Sequence, residues 1–130
     1  MYFVTTLDFE MFVSAYLECA LWSSTDESDD SGGNPLDDNY FVEDFTRNAL
    51  RSARRDCRGF IGLPGVADAL ASVGDWGRHG HDFWLTRNGH GAGFWDRGYP
   101  AEVDKLLTDA AHSYGSEYIY VSRKRLHFGG

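Results

Sequence analysis

Apolar residues recur along the chain at two spacings. From Leu7 to about Trp22, Phe9, Phe12, Tyr16, Cys19 and Ala20 fall at three- and four-residue steps, with Glu10, Ser14 and Glu18 on another face. That period predicts an amphipathic helix. Thr5 followed by Asp8 supplies a capping box at its start. The period returns from about Tyr40 to Ile61 at Val42, Phe45, Ala49, Ala53, Cys57 and Phe60, and "GLPG" ends it. A short helix over Val66 to Val73 is closed by Gly74. Pro100 and Gly115 bracket another helix, with Val103, Leu106, Leu107, Ala110 and Tyr114 on its apolar face.

Between these helices the spacing changes. "DFWLTR", the glycine-rich "NGHG" and "AGFWDR" read as two strands and a turn, a β-hairpin. With "NGHG" as the loop, Trp84 faces Trp95 and Asp82 faces Arg97, pairings that would each contribute roughly 0.2–1 kcal/mol. "EYIYVSRKRLHF" alternates like a strand and turns back around Arg123 to Arg125. The expected fold is α+β. Two to three N-terminal helices precede the hairpin, and a further helix and a C-terminal strand follow, with a small antiparallel sheet packed on the helices. Residues 1–130 make one domain, with an acidic loop at about 23–39.

Charge changes the picture more than composition does. The net charge is -8, from 20 acidic and 12 basic residues. Eleven of the acids precede Arg47, the first basic residue, and the remainder is slightly basic. "SSTDESDDSGGNPLDDN" is too polar to bury and reads as a solvated loop. Arg47, Arg51, Arg54, Arg55 and Arg58 form a stripe on the second helix, near Glu43 and Asp44. Overall negative charge argues against direct contact with nucleic acid. No apolar run reaches the roughly 20 residues that span a bilayer, and no basic region precedes the N-terminal apolar residues, so neither a membrane nor a secretory path is expected. Two cysteines make no disulfide framework, and a cytoplasmic protein follows.

The candidate chemistry is concentrated in "GHDFWLTRNGHGAGFWDRG". His79, His81, Asp82, His90 and Asp96 are metal-ligand types, but a hairpin holds His81 and His90 roughly 20 Å apart. No metal or other cofactor is expected. No serine lies in a nucleophile elbow, and the glycines lead into a strand rather than into a phosphate-cradling helix. A small enzyme or ligand site would use His81, Asp82, His90 and Arg97. A binding surface would instead use Trp84, Trp95 and Arg97 as an anchor. The carboxylates of Asp26, Glu27, Asp29, Asp30, Asp37 and Asp38 would steer it toward a cationic partner.

The long motif, with "ECALWSSTD", "LDDNY", "RDC" before "FI" and the "A…YG…IYV" ending, resembles a family of small proteins from bacteriophages and other mobile elements. The resemblance covers most of the chain and brings no catalytic residue with it. It implies a bacterial host cytoplasm, and a protein that inhibits a host defence complex handling nucleic acid. That inhibition, of anti-CRISPR or antirestriction type, would act by protein–protein contact with a basic nucleic-acid-binding surface.

Overall fold

The computed structural model describes residues 1–27 and 33–130. Its described residues form five α-helices and two two-stranded antiparallel sheets, an α+β arrangement. Helix α1 (Thr6–Trp22) starts at the expected box: Thr5 Oγ1 accepts from the Asp8 amide at 3.0 Å, and Asp8 accepts from the Thr5 amide at 3.2 Å. Strands β1 (Thr25–Asp26) and β2 (Asn34–Pro35) pair across the acidic segment. Helix α2 (Arg47–Ile61) begins later than the apolar period suggests. Thr46 caps it at Ala49 N, and Val42–Asp44 forms a separate 3-10 turn. Helix α3 spans Val66–Ser72, and α5 spans Ala101–His112.

The expected hairpin at 82–97 is absent. Its first half lies in helix α4 (Trp76–Arg87), capped by Asp75, whose carboxylate accepts from Arg78 N at 2.8 Å. Its second half is a loop with a 3-10 turn at Phe94–Asp96. A helix wrapped on one side shows a 3.6-residue period; one wrapped on nearly all sides does not. Nine of the twelve α4 residues are buried, among them His79, Asp82, Thr86 and Arg87. Those polar groups are tolerated because most of their atoms have partners. Gly80 explains how closely α4 rides on α1, since a Cβ there would stand 1.9 Å from the Phe12 carbonyl oxygen.

Around α4 the core is aromatic. Phe83 stacks on Phe60 at 4.2 Å, and Tyr16 meets Trp84 edge-on at 5.3 Å. Trp84, 2% exposed, donates its indole N–H to Ser23 Oγ at 2.8 Å. The Arg87 guanidinium knots four segments together. Its Nη1 donates to Tyr16 Oη and Asp56 Oδ2, both at 2.9 Å, while Nε and Nη2 donate to the carbonyls of Gly115 and Tyr114. Burial pushes the Tyr16 phenol well above its ordinary range, so it stays a neutral donor and acceptor here.

The C-terminus is a hairpin by itself. Strands β3 (Ile119–Ser122) and β4 (Arg125–Phe128) pair Tyr120 with His127 and Ser122 with Arg125. Arg123 and Lys124 form the two-residue turn at φ 53° and 61°. Those angles suit a type I′ turn, which twists with the strands. Leu126 bridges to Phe45, and Arg125 donates to the carbonyls of Asp44 and Phe45, which seats the hairpin against the start of α2.

Candidate functional site

Residues two apart on a helix point to nearly opposite sides. Accordingly α4 turns His79 into the core and His81 outward. His79 is fully buried, and its Nε2–H lies 2.8 Å from the Leu70 carbonyl and 2.7 Å from that of Val73. It therefore secures the end of α3. Its Nδ1 has no hydrogen-bond partner among the described residues, and burial holds its pKa below the ordinary imidazole value.

His81 faces a cleft of about 630 Å³ between α1 and α4, whose wall also includes Glu18, Cys19, Trp22, Arg78 and Arg97. Below the cleft lies Asp82, a fully buried carboxylate. Arg97 donates to it twice, Nη2 to Oδ1 at 2.6 Å and Nε to Oδ2 at 3.0 Å. The loop after α4 delivers Arg97 because it passes close over Thr86, whose Oγ1 accepts from Phe94 N at 3.1 Å. Only glycine fits at position 93, where a Cβ would meet that hydroxyl at 2.4 Å. Hydrogen bonding to Asp82 raises the Arg97 pKa further, so the guanidinium keeps its charge.

Trp22 closes the cleft. Its indole N–H donates to His81 Nε2 at 3.3 Å, and the two rings lie 5.7 Å apart at 31°. Accepting at Nε2 leaves the proton on Nδ1, which stands 3.8 Å from Asp82 Oδ1. Burial lowers the His81 pKa, as do the charges of Arg97 and Arg78, so the ring is neutral near pH 7. The Cys19 thiol is pushed up to about 12 by burial and then by Asp82, which removes it as a nucleophile.

A second cleft of about 500 Å³ adjoins the first and shares Glu18 and Trp22 with it. Asp37, Tyr40, Phe41 and Glu43 line its far side, and no lysine or arginine does. Trp22 is 52% exposed and Phe41 67%. Together the clefts form a groove along α1 in which bare aromatic rings stand among carboxylates.

The structure brings together some of the residues expected from the sequence and separates others. His81, Asp82 and Arg97 converge at the first cleft. Asp82 and Arg97 pair as anticipated, though across a helix and a loop instead of two strands. His90 sits on the exposed turn after α4, outside the cleft. Trp84 is core, so it is no surface anchor, while Trp95 is half exposed. Asp37 lines the second cleft. Asp26, Glu27 and Asp38 lie in the neighbouring β1–β2 segment and the 3-10 turn after it, and Asp29 and Asp30 lie outside the described residues. Sequence reasoning missed Trp22 and Phe41. The available signal was position: Trp22 falls off the apolar stripe of α1, and a large ring off the stripe is either solvent-facing or a contact.

Among the described residues no three His, Cys, Asp or Glu side chains converge as a metal-ligand set, and no helix is long and apolar enough to cross a membrane. Compared with known proteins, the chain matches no family model, no curated protein and no solved structure.

Proposed function

We propose that the protein is an acidic binding protein of bacteriophage type. It would occupy a basic, nucleic-acid-binding surface of a host defence complex, as an anti-CRISPR or antirestriction inhibitor does. One observation carries this reading: the groove along α1, where Trp22 and Phe41 are exposed between Glu18, Asp37 and Glu43. At physiological salt the screening length is about 8 Å. Carboxylates lining one cleft therefore act jointly on an approaching cation. Exposed tryptophan supplies what charge alone lacks, a large apolar contact of the kind that dominates binding energies. Asp26, Glu27 and Asp38, near the groove, extend the same field and speed encounter.

The rival reading, a small enzyme or ligand site at residues 80–98, has less support. His90 is outside the cleft, and the charges of Asp82 and Arg97 are spent on each other.

The immobilised protein, exposed to bacterial lysate at low and moderate salt, should retain a nuclease, CRISPR or restriction component in a salt-sensitive way. With that component purified, the protein should block its cleavage of DNA. E18K/D37K/E43K should slow association about tenfold or more and flatten its salt dependence. Trp22→Ala should mainly speed dissociation. A protein that inhibits no such complex, or whose inhibition survives both changes, would refute the proposal.

A further inference from the structure

The α2–hairpin surface has the opposite character. Tyr118 and Tyr120 are 58% and 45% exposed on the outer face of the β3–β4 ribbon, 6.4 Å apart. His127 stacks on Tyr120 at 4.8 Å, nearly parallel at 9°. Beside them a shallow cleft of about 200 Å³ is lined in part by Asn48 and Ser52 of α2. Arg51 Nη1 lies 3.5 Å from Asn48 Oδ1, and Arg55 Nη2 lies 3.3 Å from Ser52 Oγ, so two exposed guanidiniums border the aromatic ladder. Arg123 and Lys124 stand at the ribbon's tip, three residues beyond Tyr120.

The tip carries the most information. Both of its residues hold the left-handed conformation, which costs an ordinary L-residue roughly 1–2 kcal/mol, while Asn-Gly would make the same turn without strain. Strain that stability does not require points to a use for the side chains themselves. The nearby acids are largely engaged: Asp56 with Arg87 and Arg55, and Asp44 with the amide of Phe41.

We infer that this face binds single-stranded nucleic acid. Unstacked bases would lie on Tyr120 and Tyr118, with phosphates on Arg51, Arg55, Arg123 and Lys124. Cations interleaved with exposed rings are the recurrent solution for single strands, because every base has a face to stack and every nucleotide a phosphate. A two-stranded ribbon with a basic tip presents both at once. The inference does not depend on the acidic groove, which lies on other elements.

The test is fluorescence anisotropy of a labelled oligothymidylate of about 20 nucleotides with the full-length protein at low salt. Binding should weaken linearly in log–log salt, by roughly 0.7 per phosphate contacted. Tyr120→Ala should weaken it about tenfold, as loss of one stacked base does. R51E/R55E should weaken it at least as much, and R123N/K124G, which removes two phosphate contacts, should lower the salt slope by about 1.4. E18K/E43K, on the acidic groove, should not reduce it, which separates failure here from failure of the inhibitor reading. Circular dichroism would confirm that each variant is folded. No anisotropy change, wild-type binding by Y120A, or tighter binding of a duplex or of anionic vesicles would overturn the inference.

Discussion

The groove along α1 and the face built by α2 and the C-terminal hairpin are both open surfaces with exposed aromatic rings, yet they are made in opposite ways. The groove is acidic and rests on rigid parts: a boxed helix start, a glycine contact between α1 and α4, and a buried ion pair beneath His81. The hairpin face is basic and ends in a strained two-residue turn. The difference teaches that charge segregation in a chain becomes segregation on a surface when a surface draws its residues from one side of the charge boundary. The second cleft draws only on residues 14–43, before the first basic residue, whereas all but Thr46 of the cleft on the hairpin face comes after it.

The largest effect expected lies under the groove. Arg97→Ala leaves the Asp82 carboxylate buried with no cation, a change that typically costs about 3–5 kcal/mol when a buried pair is broken on one side. D82N/R97Q should recover much of that loss. Urea unfolding would check both, and a loss below about 1 kcal/mol for R97A would mean that water already solvates Asp82. No charge on the hairpin face should matter comparably, because exposed pairs contribute little.

Mild acid should separate the two regions next. His79 and His81 have lowered pKa values in the folded protein, so the unfolded chain binds protons more readily. Stability is therefore full above the unfolded imidazole value and falls as pH drops below about 6.5, by at most roughly 1.4 kcal/mol per pH unit for each proton. Unfolding midpoints measured on either side of that value should show the slope, and His79→Gln should flatten it. A midpoint that does not move in the wild type would show that neither ring is desolvated.

The smallest effect concerns the turn. R123N/K124G should gain about 1 kcal/mol, because Asn and Gly take the left-handed angles with less strain. A calorimetric melt at lower temperature than the wild type would show that Arg123 and Lys124 make stabilising contacts that outweigh the strain.

Much of the fold was legible because most helices are half buried. A helix with one wet face writes its period into the chain, as α1, α2 and α5 do, and Thr5, Gly74 and Pro100 marked their ends. The second half of helix α4 resembles a strand in the sequence for the complementary reason. Closed in by α1, α3, α5 and the following loop, it needs no polar face, so Phe83, Trp84 and Leu85 run consecutively while His79, Asp82 and Arg87 look like surface residues. Two local signals favour a helix there, Asp75 as its N-cap and Gly89 just past its end, but the glycine-rich "NGHG" between two aromatic segments imitates a hairpin turn.

The candidate site divides along the same line. That Asp82 and Arg97 attract each other follows from their charges, and the acidity of the first 46 residues can be counted directly. Which aromatic ring faces water cannot, because Trp22 and Trp84 are the same side chain and differ only in what packs over them. Sequence by itself determined the helical class of the chain, its capped ends and its polarity of charge, since these depend on neighbours a few residues away. Tertiary structure alone decided that Trp84 is core while Trp22 is a lid, that His79 is structural while His81 lines a cleft, and that arginines of α2 and tyrosines of the C-terminal ribbon share one face. Burial is set by residues dozens of positions distant, and no local pattern records them.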